Sequence, residues 1–240
     1  YQIQGWAESN PNATNIEEVR ALLAQNSMLN NNQQQQQPVQ PNGNGQSGSL
    51  SMSKLSQNEI KQLLANAPKT NFSDAELYAE VPSYKAPYAA GRLSQSALQT
   101  TLARLNALRR IAGLPDVALD SSLNDYAQHA ALISAAYGTI SHYPAKLADM
   151  SDSFYQTAYK GASSSNLSAG RIFTATPDGW MDDSDTSNID RLGHRRWQLN
   201  PNMGKIGFGH VTSDSSYRRY TAEWSFDNTG RGCDYDFVAW

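Results

Sequence analysis

Helical patterns that come first and strand patterns that come late predict an α+β domain, with helices stacked on a small sheet. Three observations carry that expectation. Leu98, Leu102, Leu105, Leu108 and Ile111 recur at three- and four-residue steps, the spacing of one buried helix face. A run from Leu123 to Tyr137 keeps helical spacing and is rich in alanine, which implies close packing against another element. From Lys205 the texture changes: Ile206-Gly-Phe208-Gly-His210-Val211 and Tyr217-Arg-Arg-Tyr220-Thr-Ala-Glu-Trp224-Ser-Phe226 show partial period-two alternation and read as a hairpin turning at residues 213–216.

Taken in order, residues 1–29 hold a helical segment. Thr14-Asn-Ile-Glu17 has the form of a capping box, and Ile16, Val19, Leu22 and Leu23 follow at helical spacing. Residues 30–52 form an Asn/Gln/Pro/Gly tract with almost no side chain to bury, which predicts a flexible linker within a partly disordered N-terminal extension. Residues 53–92 begin with a second capping box, Ser56-Gln-Asn-Glu59, ahead of Ile60, Leu63 and Leu64, and Pro68 ends that short helix. The remainder, with Tyr78, Pro82, Tyr84, Pro87 and Tyr88, reads as a loop laid across the main domain, which spans residues 93–240.

Within that domain the leucine-striped helix starts near Ser94 and is closed by Gly113 and Pro115. Asp120 caps the alanine-rich helix, which ends at Gly138, and a further short helix is expected over residues 151–160. Residues 161–170 read as a small-residue loop. Thr176-Pro177 starts a helix carrying Trp180, Asp182, Asp183 and Asp185, and Asn200-Pro201 stops the segment after it. Residues 233–240 read as one more strand.

At 240 residues the chain is long enough for a real core. Mean hydropathy is −0.60, and no apolar run approaches the ~18 residues of a membrane span. A net charge of −3 and a pI near 5.8 exclude the basic footprint of a nucleic-acid binder. The single cysteine, Cys233, excludes both an intramolecular disulfide and a multi-cysteine zinc site.

The chemistry concentrates in Trp180-Met-Asp-Asp-Ser-Asp-Thr-Ser-Asn-Ile-Asp-Arg-Leu-Gly-His-Arg-Arg-Trp197 and in His142, which lies in the non-helical exit from a helix. Two neutral imidazoles, a carboxylate such as Asp183 and water suit an open site for zinc or another divalent metal; the same groups also suit a polar cleft without one. His129 reads as a partly exposed helix histidine. The serines at 163–165 lack the Gly-x-Ser-x-Gly elbow of a nucleophile, and His-Glu-x-x-His does not occur.

The succession Ser141-His142, Ser165-Asn166-Leu167, Trp180-Met-Asp-Asp183, Gly193-His194-Arg-Arg-Trp197 and Ile206-Gly-Phe-Gly209 resembles the CAP superfamily. That superfamily comprises cysteine-rich secretory, antigen 5 and pathogenesis-related 1 proteins and is also called the SCP domain; the likeness is greatest to its bacterial secreted branch. The resemblance covers residues 93–240. It implies an α-β-α sandwich with helices packed on a small, mostly antiparallel sheet, an extracellular location (secreted or attached to the cell surface), and a cleft lined by two histidines and two acidic residues.

Carried over by position, the histidines are His142 and His194, the second acid falls on Asp183, and the first falls on Ser165 beside the retained Asn166. The resemblance therefore implies a cleft of His142, Ser165, Asn166, Asp183 and His194, with His142 and His194 as the ligands of any zinc-like metal. Loss of one acid and shortening of the other favour a non-enzymatic module for a protein, glycan or lipid ligand outside the cell. A metal-dependent hydrolase or peptidase using His142 and His194, with Asp183 as base, is one alternative. Sterol or lipid binding is another.

Overall fold

The computed structural model describes residues 55–186, 188–215 and 217–230. The expected helix after Thr14, the low-complexity tract and the expected strand at residues 233–240 lie outside the described residues. Helix α1 (Gln57–Ala65) opens with the predicted capping box: the Ser56 side chain accepts from the Glu59 N–H, and the Glu59 carboxylate accepts from the Ser56 N–H at 2.7 Å. The stretch expected as a loop instead contains α2 (Asp74–Leu77) and two short antiparallel strands, β1 (Tyr78–Glu80) and β2 (Arg92–Leu93). Its aromatic residues are anchors. The Tyr78 hydroxyl accepts from the Thr212 N–H at 2.9 Å, far along the chain.

The striped helix is α3 (Gln95–Ile111), capped by Ser94 as its side chain accepts from Ala97 N–H. The alanine-rich helix is α4 (Ser121–Tyr137), capped by the Asp120 carboxylate and ended by Gly138, whose φ of 71° is the left-handed conformation that closes many helices. Helix α5 (Asp152–Ser163) follows. The segment expected as a small-residue loop is in part a strand, β4 (Ser165–Ala169). Its ladder to residues 220–224 outweighs the weak strand preference of serine and asparagine.

Strands β3 (Ala118–Leu119), β5 (Lys205–Thr212), β6 (Arg219–Trp224) and β4 make one sheet in the order β3-β5-β6-β4. The β3–β5 pair is parallel and the others antiparallel, so the sheet is mostly antiparallel, as expected.

Strand alternation sorts β5 into two faces. Val211 joins Ala127, Ala130, Ala131 and Ile133 of α4, Ala158 of α5, and Tyr220 and Ala222 of β6 in one core cluster. Ile206 and Phe208 join Leu98 and Leu105 of α3, Phe173 and Met203 on the opposite face, a cluster that also takes in Leu77, Tyr78 and Leu93. The result is a three-layer sandwich: α4 and α5, the sheet, then α3 with a 3-10 turn at Phe173–Ala175. Each fully buried Leu, Ile or Phe in these layers contributes roughly 1.5–3 kcal/mol. Arg104 of α3 stitches the third layer to what precedes it in the chain: its guanidinium donates to the carbonyls of Leu64 and Ala67, both at 3.1 Å, and pairs with Asp178. No helix among the described residues is long and apolar enough to cross a membrane.

Candidate functional site

Helix α6 (Thr176–Asp182) begins with Pro177 in its first turn, where a missing N–H leaves no hydrogen bond unmade. It stops sooner than expected. Asp183 takes a left-handed backbone (φ 49°), so Asp185 lies beyond the helix rather than on it. The chain folds back and a second left-handed residue, Leu192 (φ 49°), starts α7 (Gly193–Gln198).

This double reversal sets Asp183, only 2% exposed, against the first turn of α7. Its Oδ1 lies 2.7 Å from His194 Nδ1, and its Oδ2 accepts the Arg195 N–H at 3.2 Å. Asn188 completes the corner by donating to Asp183 Oδ1 and accepting from the Gly193 N–H at 3.3 Å. The Arg195 guanidinium donates to the carbonyls of Met181 at 2.5 Å and Asp182 at 2.9 Å, satisfying the end of α6.

His142 arrives from the other side of the sheet, just past α4. Its Nδ1 lies 2.9 Å from the Ala162 carbonyl of α5. A carbonyl only accepts, so Nδ1 carries the proton and Nε2 keeps its lone pair. At His194 the Asp183 carboxylate, which only accepts, fixes the proton on Nδ1, and the Asn188 amide nitrogen also lies 2.9 Å from that atom. Although His142 has an exposed edge, desolvation of its ring pushes its pKa below the ordinary value; the Ala162 carbonyl opposes that shift and the charge of His194 adds to it. The two imidazoles thus lie close enough to feel one another electrostatically.

Ser165 and Asn166 are neighbours on β4 and face opposite sides of the sheet. Ser165, at the position of the missing acid, is buried, and its hydroxyl has no hydrogen-bond partner among the described residues. Asn166 points toward α7: its amide donates to the His194 carbonyl and to Glu223 Oε1, both at 3.2 Å. Glu223, fully buried on β6, also accepts from Gln198 Nε2 at 3.0 Å. Burial pushes its pKa up to about 7, against the opposing hydrogen bonds of Gln198 and Asn166 and the charge of Arg109. Arg109, also fully buried, donates to the carbonyls of Pro115 at 3.0 Å, Gln198 at 2.6 Å and Asn200 at 3.1 Å. A polar layer therefore lies beneath His194.

Three of the residues offer metal-ligating atoms close together. Asp183, Asp185 and His194 each supply one donor within 4.8 Å of the others. His142 lies outside that group. Both oxygens of Asp183 are engaged, so its natural part is to orient His194, with Nε2 left for a ligand. Asn188, Glu223, Gln198 and Arg109 were not anticipated as parts of the site. None of the four carries a signal in the sequence: even Glu223, alternating with Tyr220, Ala222 and Trp224, reads as an acid on the solvated face of a predicted strand.

A model of CAP, the cysteine-rich secretory protein family, matches residues 102–225. Among solved structures the chain is similar to an outer surface protein from Borrelia burgdorferi, with 17% identity, 54% of this chain and 90% of that one covered, and a TM-score of 0.39. It is also similar to an extracellular protein containing a SCP domain from Bacillus anthracis, with 19% identity, 56% of this chain and 41% of that one covered, and a TM-score of 0.39. No curated protein matches it.

Proposed function

The chain belongs to the cysteine-rich secretory protein (CAP) family, and on that premise we propose that it acts outside the cell as a binding module whose cleft is centred on His142 and His194. One observation carries the reading. Each imidazole donates Nδ1–H to a fixed protein oxygen, the Ala162 carbonyl in one case and the Asp183 carboxylate in the other, which leaves both Nε2 lone pairs for a ligand. A histidine that binds zinc or another divalent cation is usually held in this way. The ligand we assign is therefore a divalent cation, alone or bridging the cleft to a partner.

Hydrolysis is the weaker reading. Asp183 is the carboxylate expected to serve as base, yet its two oxygens hold His194 and the Arg195 N–H. It would have to release the histidine it orients before accepting a proton from water.

Calorimetric titration with zinc tests the proposal. The wild-type chain should bind saturably, and the His142→Ala, His194→Ala double variant should not. Asp183→Asn keeps a residue tolerated in the left-handed backbone but weakens the acceptor for Nδ1–H, and should lower zinc affinity by about 10–100-fold. Heat of binding that the double variant retains would place the metal elsewhere.

A further inference from the structure

A cavity of about 220 Å³ lies on the α3 side of the sheet, at the end of the β5–β6 hairpin. Its lining includes His210 and Thr212 of β5, Arg218 and Arg219 at the start of β6, and Asn71 and Asp74 from the segment ahead of the domain core. None of these residues belongs to the cleft around His142 and His194.

His210 is 1% exposed, and its Nδ1 is taken by the Thr221 hydroxyl at 2.7 Å. No protein group among the described residues bonds its Nε2. The Thr221 hydroxyl can donate to Nδ1, and the neutral ring then carries its proton on Nε2 and offers a donor to whatever fills the cavity. Burial, then the charge of Arg219, hold its pKa down at about 3, so the ring is neutral across the physiological range. Arg219 is half-buried, and among the described residues its guanidinium has neither an ion pair nor a hydrogen bond. A half-buried guanidinium beside an imidazole N–H favours an acceptor that joins them.

Asp74 narrows the choice of acceptor. A dianion would meet its charge, whereas a single carboxylate on Arg219 and His210 leaves Asp74, which the Thr212 hydroxyl reaches only at 3.5 Å, for a donor on the same molecule. At about 30 Å³ per water, the cavity holds roughly seven water volumes, the size of a molecule with few non-hydrogen atoms. We propose that this cavity is a binding site for a small hydroxy- or amino-carboxylate, held by Arg219 and His210 at its carboxylate and by Asp74 at its hydroxyl or ammonium group.

The test is an NMR titration of the whole chain with L-lactate and L-alanine, with acetate and inorganic phosphate as comparators, following the ring nitrogens of His210. Lactate or alanine should shift the His210 Nε2 resonance saturably and bind more tightly than acetate or phosphate. Arg219→Gln should weaken that binding by about tenfold or more, since a charge-assisted bidentate pair is lost. Three results overturn the proposal: no saturable change at His210 in the wild type, shifts confined to the surroundings of His194, or phosphate binding more tightly than either carboxylate. All three are read on the wild-type chain, so they hold even if the Arg219 variant folds poorly. The zinc titration at His142 and His194 is independent of each.

Discussion

Gly209→Ala is expected to remove more than ~3 kcal/mol of folding stability and to leave much of the chain unfolded. A Cβ added at Gly209 would stand 2.2 Å from the Ala127 carbonyl carbon and 2.3 Å from both its oxygen and the Gln128 nitrogen. These are backbone atoms of α4, so no rotamer change relieves the clash. The helix would have to rise off the sheet, and with it Ala127, Ala130, Ala131 and Ile133, all fully buried. The close approach is also tied by hydrogen bonds: the Gln128 amide donates to the His210 carbonyl at 3.0 Å and accepts from the His210 N–H at 2.9 Å.

Gly113→Ala is the control. That residue has a φ of +77° but nothing within 4 Å of the new Cβ, so only left-handed backbone strain of roughly 1–2 kcal/mol is expected. Urea unfolding of the two variants separates the mechanisms. Equal losses would mean that the helix–sheet contact at Gly209 has room for a methyl group.

That contact explains why this part of the fold was legible. Alanines along one helix and glycines along one strand are both needed where backbones approach this closely, so each pattern advertised the other. The α3 stripe was legible for the simpler reason that its leucines enter one core at helical spacing. Strand β4 was not, because Ser165 and Asn166 carry little strand preference and owe their conformation to pairing with Trp224 and Glu223, more than fifty residues away. Helix α2 was hidden among tyrosines and prolines, although its Ser73–Glu76 capping box was there to be found.

The candidate site divides along the same line. His142 stood out because a histidine in the exit from a helix is free of the backbone ladder, and His194 because it shares one short stretch with several carboxylates. What holds them did not, since it depends on tertiary turns: left-handed Asp183 and Leu192, and an Asn188 that bridges them. An aspartate expected on a helix turned out to end one, and that change is what lets it reach His194. Glu223 was hidden by the opposite circumstance. An acid alternating with Tyr220, Ala222 and Trp224 suggests a solvated strand face, but α3 and α7 cover that face and leave Glu223 with no water.

Between about pH 4.5 and 6.5 the buried pair Glu223 and His210 should change the stability of the chain little, because the two oppose each other. Glu223 has a folded pKa of about 7, above its ordinary 4.5. The folded state then holds one more proton than the unfolded state, so the stability from Glu223 is complete below 4.5 and is lost as pH rises through 7. His210 has a folded pKa of about 3, below its ordinary 6.5. Its contribution is complete above 6.5 and is lost as pH falls toward 3. In the shared window the slopes cancel; above it only Glu223 acts, and below it only His210.

Glu223→Gln removes one side of this balance. The amide keeps the volume and an acceptor for Asn166, and a flip of the Gln198 amide turns its buried, unpartnered Oε1 toward the new N–H. The variant should gain stability with rising pH through the window by about 1.4 kcal/mol per unit, and above pH 7 should exceed the wild type by about 3 kcal/mol. Urea unfolding of both proteins at about pH 5, 6 and 8 measures this, and groups common to the two cancel in the difference. A difference independent of pH would mean that Glu223 stays ionised in the fold. The polar layer under His194 would then be a charged pair with Arg109, and a neutral substitute would leave that arginine without its counter-charge and destabilise the chain at every pH.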